Sequence, residues 1–216
     1  MSELVERTLP GLHGSLIAHV PQIRRDAPVL DIGCGSGAWL DRLANEGFSN
    51  LHGIDQDIEQ FRCARATCSR ANLDHDDLAL GGRRFDLITA IELVEHLENP
   101  GRLYKHIRDH LAPGGVALVT SPNVHSLVSR LRHLVTGQLG QFDGKSDLTH
   151  IMPMLLVGLD RILPRHGLKI VQRWGHPERG SVAYRKPLVL AARMLGVVLP
   201  DDVPGDVLCV LIRHAS

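Results

Sequence analysis

The sequence predicts an α/β fold: a seven-stranded, mostly parallel, doubly wound sheet with helices on both faces. Three observations lead to this fold class. Short apolar runs of strand length recur along the chain, amphipathic segments with helical spacing separate them, and a glycine-rich turn joins the first strand to the first helix. With 216 residues, 44% of them hydrophobic, the chain can bury the core of one domain.

The charge balance and the cysteines narrow the function classes. Lys and Arg together number 24, as do Asp and Glu, so no overall positive field attracts nucleic acid and such a partner is disfavoured. The four cysteines form no C-x-x-C pair, which argues against a zinc or thioredoxin-like site and fits reduced thiols in the cytoplasm. The N-terminus lacks a basic and then apolar run, and no uninterrupted stretch of about 18 apolar residues occurs. We therefore expect a cytoplasmic protein with no signal peptide and no membrane-spanning helix.

The stretch from Pro28 to Leu40, P-V-L-D-I-G-C-G-S-G-A-W-L, organises the rest of the chain. Val29–Ile32 suits a buried strand, and the charge of Asp31 inside it needs a partner. Three alternating glycines follow, which let the backbone approach a ligand closely: Gly33, Gly35 and Gly37. The spacing lacks the third glycine of the dinucleotide fingerprint G-x-G-x-x-G, which disfavours a dehydrogenase. A carboxylate beside such a turn suits a cationic amino-acid group better than a pyrophosphate.

A second acidic position lies at the end of the next strand. Asn50–Ile54 reads as a short strand that ends at Asp55, 18 residues after Gly37. An acidic residue at the end of the second parallel strand can accept hydrogen bonds from both hydroxyls of a ribose. The alternative is that Asp55 caps the helix that follows. We favour the ribose contact, with Gln56 as a further residue of the site.

The rest of the chain continues the alternation of strands and helices. We expect further strands at 67–73, 85–91, 116–120, 168–174 and 205–213. We expect helices at 38–46, 58–65, 103–111, 127–135 and 152–166. Gly137–Thr149 is polar and glycine-bearing and reads as a mobile loop. Pro187–Leu199 is strongly apolar and too short to span a bilayer, and it reads as a helix on the core, a lid or a self-association surface.

Three further motifs accompany the glycine-rich turn: F-D-L-I at 85–88, E-L-V-E-H-L-E-N-P at 92–100 and L-A-P-G-G at 111–115. Together with V-L-D-I-G-C-G-S-G at 29–37, they resemble the class I S-adenosylmethionine (SAM)-dependent methyltransferases. The resemblance is greatest to the small-molecule methyltransferases that include ubiquinone- and polysaccharide-modifying enzymes. It implies a Rossmann-like sheet whose last strand is antiparallel, SAM as the cofactor and S-adenosylhomocysteine as the product.

The resemblance also implies a division of the chain, which we expect to form a single domain over residues 1–216. Residues 28–123 would form the SAM-binding core, and 1–27 would form a helical lid or a helix on the sheet edge. Two variable insertions, 124–150 and 175–204, would build the acceptor pocket. The expected acceptor is a small molecule with an oxygen or nitrogen nucleophile, such as a quinone precursor or a sugar or polysaccharide intermediate. Both a monomer and a homodimer remain open.

Within the core, the resemblance implies contacts along the whole cofactor. Asp31 and the backbone at Gly33 would hold its methionine end, Asp55 its ribose, and Asn72 with Leu73 its adenine. Asn72 stands where the family usually has Asp, and its carbonyl oxygen can still accept a hydrogen bond from the adenine amine. Three acidic residues a few positions on are alternatives: Asp74, Asp76 and Asp77. The expected cofactor-binding residues are Asp31, Gly33, Cys34, Gly35, Gly37, Asp55, Gln56, Asn72, Leu73, Ala90 and Ile91.

Polar residues after the fourth strand compete for a catalytic role. If this stretch is helical, Glu92, Glu95 and His96 share one face near the acceptor. For a hydroxyl acceptor, His96 or His125 is the expected general base, because a histidine can take up a proton near neutral pH. The alternative is that these residues only shape the pocket at the start of a helix.

Two other classes of function remain open. Metal-dependent methyltransferases that act on the 3′-terminal 2′-hydroxyl of small RNAs use a glutamate, a Glu-His pair three residues later and a later histidine. Glu92, Glu95 and His96 match the first three, and His150 or His125 matches the fourth. A divalent cation there would lower the pKa of a hydroxyl group, although our first expectation is a site without metal. The other class is a scaffold that binds SAM without catalysis.

Overall fold

The structure is a computed structural model that describes residues 4–200 and 203–215. Within these residues, one sheet contains β1 Val29–Ile32, β2 Leu51–Asp55, β3 Thr67–Arg70, β4 Phe85–Ala90, β5 Leu111–Pro122, β6 Leu168–His176 and β7 Val207–His214. The strand order is β3-β2-β1-β4-β5-β7-β6. β1 to β5 run parallel, and β7 pairs antiparallel with both β5 and β6. The predicted mostly parallel sheet with an antiparallel last strand is confirmed.

Helices cover both faces of the sheet. In the described chain they are α1 Leu12–Ile17, α2 Ala38–Asn45, α3 Pro100–His110, α4 Leu127–Thr136, α5 Leu156–Ile162 and α6 Lys186–Leu195. One hydrophobic cluster contains Leu103 of α3 and Leu159 of α5, and a second contains Leu12 of α1 and Leu40 of α2. The strands supply both clusters because their successive side chains point to opposite faces. None of the described helices is long and apolar enough to cross a membrane.

β1 lies in the middle of the parallel part of the sheet, and all four of its residues are buried. Leu30 packs in one cluster and Val29 in the other, so both faces of the strand are covered. Burial on both faces explains why the strand reads as a nearly continuous apolar run. Asp31 lies in register with Gly53 of β2 and Thr89 of β4. The strand order therefore gives the charge within β1 a hydroxyl neighbour.

Two of the expected helices are shorter than predicted. The segment 58–65 forms only a 3-10 turn, Ile58–Gln60, and the chain extends at Phe61. Phe61 lies against the start of α2, where a Cβ on Gly37 would come within 2.8 Å of its ring. This tertiary contact replaces the second helical turn.

The segment 152–166 is helical only over α5, and a 3-10 turn, Leu163–His166, follows it. Pro164 has no N–H to donate, which ends the α-helix, and Pro153 disfavours a helical conformation at Met152. Leu155 is still extended, so α5 begins only at Leu156.

The stretch after β4 is not α-helical either. Glu92 has a φ of 48°, in the left-handed region, and only a 3-10 turn, Val94–His96, follows it. A left-handed non-glycine residue interrupts a right-handed helix. The backbone N–H of Glu92 instead donates to the Thr120 hydroxyl at 3.0 Å. The expected strand at 116–120 is longer than predicted, and the one at 67–73 is shorter.

Asp206 holds the segment that precedes α6 against the sheet. Its buried carboxylate accepts hydrogen bonds from the backbone N–H groups of Val182 and Ala183, at 2.7 and 3.0 Å, and from the Ser181 hydroxyl. Its backbone carbonyl accepts another from the side-chain amide of Gln141, at 3.0 Å. This one residue therefore contacts both of the segments predicted as insertions.

Asp206→Ala should lower the free energy of unfolding by about 2–3 kcal/mol, because it leaves several donors without their acceptor. Urea denaturation followed by circular dichroism measures the change. Asp160→Ala, at an exposed position of α5, is the control and should stay within about 0.5 kcal/mol of the wild type. Equal stability of the two variants would show that the Asp206 carboxylate does not anchor the segment.

Candidate functional site

A cavity of about 790 Å³ opens at the carboxyl ends of β1, β2 and β4. The strand order reverses at this point, so the loops that follow neighbouring strands diverge and leave a crevice. The described residues that line it are Val5, Arg7, Thr8, Leu9, His13, Asp31, Gly33, Cys34, Gly35, Ser36, Ala38, Trp39, Asp55, Gln56, Gln60, Ile91, Glu92, Leu93, His96, Gln141, Ser146, Asp147, Thr149 and His150. They come from the N-terminal segment, three strand ends and the loop after α4.

The turn after β1 forms one wall of the cavity. Gly35 has a φ of 51°, and a Cβ built on it would meet no atom within 4 Å. The missing side chain therefore keeps this part of the wall open to a ligand. A Cβ on Gly33 would lie 2.7 Å from a methyl group of Leu93. The N–H groups of Gly33 and Cys34 both donate to the carbonyl oxygen of Ile54, at 2.7 and 3.1 Å, which fixes the turn against β2.

Asp55 lies at the end of β2 with both carboxylate oxygens held in place. One oxygen accepts from the backbone N–H of Gly35 and the other from that of Asp57, each at 2.8 Å. Each oxygen keeps a further lone pair, and the residue lines the cavity. A vicinal diol, such as that of ribose, can donate one hydrogen bond to each oxygen. The turn that follows is capped by Asp57, whose side chain accepts from the N–H of Glu59.

Asp31 is a buried carboxyl group at the base of the same wall. It is 3% exposed, and its Oδ1 accepts a hydrogen bond from the Thr89 hydroxyl at 2.6 Å. Burial raises the pKa of Asp31 to about 7; the Thr89 hydrogen bond opposes the rise, and the neighbouring Asp55 carboxylate adds to it. A cation in the cavity would favour the ionised form. The position therefore suits an ammonium or sulfonium group.

Three side chains converge elsewhere in the cavity wall. Glu95, His96 and His150 each offer a possible metal ligand, and the three ligand atoms lie within 4.8 Å of one another. Glu95 is fully buried, and neither of its carboxylate oxygens has a hydrogen-bond partner in the described chain. Burial raises the pKa of Glu95 well above its usual range, and the Glu92 carboxylate adds to the rise. A buried carboxyl group with no partner is unfavourable, so this cluster has room for a cation or a donor.

The hydrogen bonds of the two histidines leave one nitrogen of each ring available. His150 Nδ1 lies 2.8 Å from the carbonyl oxygen of Gln141, so Nδ1 carries the proton. The Thr149 hydroxyl donates to Asp147 and therefore accepts from His96 Nδ1, at 2.8 Å. In both rings Nε2 then keeps its lone pair, the form that binds a metal or accepts a proton. Burial and the neighbouring His150 lower the pKa of His96, which keeps this ring neutral.

The backbone brings this cluster together from two distant segments. The N–H groups of Ile151 and Met152 donate to the carbonyl oxygen of Glu95, at 2.8 and 3.0 Å. These bonds place the preceding histidine beside Glu95. Glu92 lines the same cavity and accepts from the Thr120 hydroxyl at 3.0 Å, while burial raises its pKa to about 7. The strained backbone of Glu92 and the loop after α4 therefore serve one site.

Most of the predicted site residues reach the cavity. Those that line it are Asp31, Gly33, Cys34, Gly35, Asp55, Gln56, Ile91, Glu92, His96 and His150. Glu95 is not among the lining residues, but a carboxylate oxygen of its side chain lies within 4.8 Å of a ring nitrogen of each of the two histidines. The cysteines of the described chain are free thiols.

Besides Glu95, five predicted residues are not among the described residues that line the cavity: Gly37, Asn72, Leu73, Ala90 and His125. Asn72 Oδ1 accepts from the N–H of Asp74 at 3.0 Å, so the amide oxygen expected at the adenine is engaged locally. His125 Nε2 lies 3.1 Å from the N–H of Leu156 and 3.3 Å from the carbonyl oxygen of Met154. Because Nε2 accepts from Leu156, His125 is held as a link between α4 and α5. Their binding and catalytic roles stay predictions.

Several lining residues were missed by the sequence reasoning. Ser36 lies within the glycine-rich motif, and its hydroxyl donates to the carbonyl oxygen of Val5 at 3.0 Å, which holds the N-terminal segment at the cavity. Its position inside the motif could have pointed to it. Gln60 and Gln141 follow no recognisable motif, because the irregular loops that carry them reach the cavity only through the tertiary fold.

A family model described as "Methyltransferase domain" matches residues 5–173. The chain belongs to this methyltransferase domain family. The match runs from the segment that lines the cavity to β6 and includes every residue of the Glu95, His96 and His150 cluster. The predicted family is confirmed.

The match to a curated relative is shorter than the match to the family model. The ubiquinone biosynthesis O-methyltransferase of Psychrobacter cryohalolentis is 31% identical over 106 residues, which cover 44% of this chain and 40% of the relative. The chain thus matches about two fifths of that relative's length. This partial match leaves the acceptor open.

Solved structures show the same fold over nearly the whole chain. A SAM-dependent methyltransferase from Mesorhizobium loti has a TM-score of 0.62 at 19% identity and covers 96% of this chain and 100% of its own. A SAM-dependent methyltransferase from Archaeoglobus fulgidus has a TM-score of 0.63 at 20% identity, with 93% and 92% covered. At this identity the likeness shows the fold alone. The predicted Rossmann-like methyltransferase fold is confirmed.

The raised pKa of Asp31 makes the stability of this methyltransferase domain pH-dependent. The pKa of Asp31 is about 7 in the folded protein and 3.8 ordinarily, so at any pH between these values folding is accompanied by the uptake of a proton. The contribution of Asp31 to the free energy of unfolding is therefore full below pH 3.8 and is lost as pH rises to about 7. Asp31→Asn removes this dependence. The stability difference, variant minus wild type, should grow by about 2–3 kcal/mol between pH 5 and pH 8.

Urea unfolding at several pH values measures this difference. Asp26→Asn is the control, because this carboxyl group lies just before β1 and is exposed, so it lacks the buried surroundings of Asp31. If Asp31→Asn gave a difference that did not change with pH, the carboxyl group would not be protonated in the folded protein, and the cause assigned to its pKa would be wrong.

Proposed function

We propose that the protein transfers a methyl group from SAM to an oxygen nucleophile on a small molecule. One observation carries this proposal: a single cavity is lined by Asp31 and Asp55 at the glycine-rich turn and by Glu92, His96 and His150 elsewhere in its wall. The two aspartates suit a cationic nucleoside. The glutamate and the two histidines can accept the proton of a hydroxyl group. The similarity to the ubiquinone biosynthesis O-methyltransferase of Psychrobacter cryohalolentis supports an oxygen acceptor, and a quinone precursor is the first class to test.

The residues at the glycine-rich turn fit SAM. SAM supplies a methyl group bound to a sulfonium, which makes that methyl carbon the electrophile. Asp31 would attract the positive charge of the methionine end, and Asp55 would accept from the ribose hydroxyls through the lone pairs left by Gly35 and Asp57. The open space in front of Gly35 lets the backbone approach the ligand.

The remaining groups act on the acceptor. Direct displacement needs an acceptor oxygen held in line with the methyl group, so positioning supplies much of the acceleration. His96, neutral and with Nε2 free, can accept the proton of the hydroxyl. Nε2 of His125 is not free in this way, since it accepts a hydrogen bond from the backbone N–H of Leu156. His96 is therefore the stronger of the two predicted bases.

Asp55→Ala should weaken the binding of S-adenosylhomocysteine at least about thirtyfold, because it removes the charged acceptor of the ribose hydroxyls. Isothermal titration calorimetry measures the dissociation constant. Asp57→Ala is the matched control. This exposed carboxylate lies two residues after Asp55, and the hydrogen bond from the backbone N–H of residue 57 to Asp55 survives the substitution. It should bind within about twofold of the wild type.

Two results would contradict the proposal. If the folded wild type did not bind S-adenosylhomocysteine, or if Asp55→Ala bound it equally well, the cavity would not be a SAM site. If binding were normal but no S-adenosylhomocysteine formed from SAM with any of a panel of phenols and catechols, the scaffold alternative would replace the enzyme.

A metal-assisted transfer is the second candidate, and the unpartnered Glu95 carboxylate favours it. A divalent cation held by Glu95, His96 and His150, with Glu92 close by, would give this buried carboxylate a partner. Carboxylate and imidazole ligands suit several divalent metals. Such a cation lowers the pKa of a bound hydroxyl and orients it, which serves a small-molecule acceptor as well as an RNA. The balanced net charge gives no support to RNA as the partner.

Glu95→Gln and His150→Ala should each weaken Mn²⁺ binding at least about tenfold, because each removes a ligand or its charge. Electron paramagnetic resonance of free Mn²⁺ gives the dissociation constant, and His75→Ala, at an exposed position, is the control. S-adenosylhomocysteine affinity should remain in all three variants. If the wild type bound no Mn²⁺, or if both variants bound it as tightly as the control, the cation site would be excluded.

A further inference from the structure

The helix α6 is apolar on two opposite sides, and only one of them is covered. Its inner side packs on α4 through Leu188, Val189 and Ala192. Leu190 and Met194 lie four residues apart on the other side, and Val197 follows in the turn after the helix; all three are exposed, Val197 at 85%. An apolar helix side left in water is unfavourable, which indicates a partner for this surface.

α4 extends the same exposed surface. Leu127, Val128 and Leu131 form the stripe by which α4 meets α6, and Leu134 and Val135 continue that stripe at helical spacing. Leu134 and Val135 lie past the covered part and are 80% and 75% exposed. We give the name α4–α6 face to these exposed apolar side chains on the two packed helices, Leu134 and Val135 together with those on the outer side of α6.

The charges around the α4–α6 face are positive. α4 and α6 contain no Asp or Glu, and they carry Arg130, Lys186 and Arg193 in exposed positions, with Arg185 just before α6. None of the described ion pairs involves Arg185, Lys186 or Arg193. Along the chain, the nearest acidic residues are Asp143 after α4, which pairs with Arg132, and Glu178 before α6. After α6 come Asp201 and Asp202, which lie outside the described residues. This local excess stands out in a chain whose formal net charge is zero.

We propose that the α4–α6 face docks on anionic lipid bilayers. Exposed aliphatic side chains flanked by Arg and Lys match the acyl boundary and the headgroups of such a surface. A second copy of the chain would bring like charges together, which opposes self-association through this face. The exposed side chains are Leu, Val and Met, and they lack the aromatic anchors that dominate protein interfaces. A lipid surface is therefore the partner that both the charge and the side-chain chemistry favour.

Docking there would bring the candidate acceptor site close to the lipid. α4 leads directly into the loop that carries Gln141 and His150 of the cavity wall. Arg132 on α4 pairs with Asp143 in this loop, and the Tyr184 ring packs against the loop backbone where a Cβ on Gly140 would overlap it. The face and the cavity wall are thus parts of one packed unit. The inference rests on these two helices and is independent of the acceptor proposed above.

Vesicle flotation with the full chain tests the proposal. The wild type should float with vesicles of equal parts phosphatidylglycerol and phosphatidylcholine, bind pure phosphatidylcholine much less, and lose binding at high salt. The charge variant R185E/K186E should bind the anionic vesicles at least about twenty-fivefold less, at about fivefold per cation removed. The apolar variant L190D/M194D should bind at least about tenfold less.

Matched controls carry the same changes elsewhere on the surface. V171D alters an exposed apolar residue of β6, and R161E/R165E reverses two exposed cations at and after α5. Both should float like the wild type, and unchanged S-adenosylhomocysteine binding shows that each variant is folded. Equal loss in variants and controls would overturn the proposal. The proposal would also be overturned if the wild type did not float with anionic vesicles. In that case, a dimer in size-exclusion chromatography that L190D/M194D dissociates would identify a second copy of the chain as the partner.

Discussion

The two hydrogen bonds to the Asp55 carboxylate hold the glycine-rich end of the cavity in shape. One comes from the turn after β1 and the other from the start of the turn after β2, so a single side chain joins the loops of two neighbouring strands. The loop after β4 diverges from them, because the strand order reverses between β1 and β4. The N–H of Gly33 adds a third bond, to the carbonyl oxygen of Ile54 in β2. The open wall at Gly35 depends on this arrangement. A preformed wall lets a ligand bind without first ordering the backbone.

Buried acids determine the electrostatics of the whole site. The pKa values of Asp31, Glu92 and Glu95 are all raised, mainly because each group is buried. The Asp55 carboxylate raises the pKa of Asp31 further, and the Glu92 carboxylate raises that of Glu95. Among the described lining residues, Arg7 is the only one with a permanent positive charge. Such a site gains more from binding a cation than from binding an anion, because a cation restores the ionised form of each carboxyl group. A sulfonium cofactor and a divalent metal both meet this condition.

Local sequence was sufficient for the parts of the site that a strand and its following turn define. V-L-D-I-G-C-G-S-G specifies β1, the open turn and the start of α2, because its apolar run and glycines act over a few residues. Contacts between distant segments were not predictable. The backbone of 151–152 pairs with Glu95 instead of starting a helix, and Phe61 packs on Gly37 instead of continuing one. The predicted adenine contact at Asn72 rested on its place at a position where the family usually has Asp, but its amide oxygen is engaged by its own loop.

The two ends of the cavity are built by different means, and this bears on how one fold accepts different substrates. The end proposed to bind SAM consists of strand ends, whose positions follow from the sheet and its core. The end proposed to bind the acceptor consists of a loop held by the carbonyl oxygens of Glu95 and Asp206, through Ile151, Met152 and Gln141. Side-chain changes in the loop can reshape the acceptor pocket while the bonds from Ile151 and Met152 to Glu95 remain, because a backbone N–H donates whatever side chain its residue carries. Acceptor identity therefore resides in segments that no strand pattern specifies, and the fold itself leaves it undetermined.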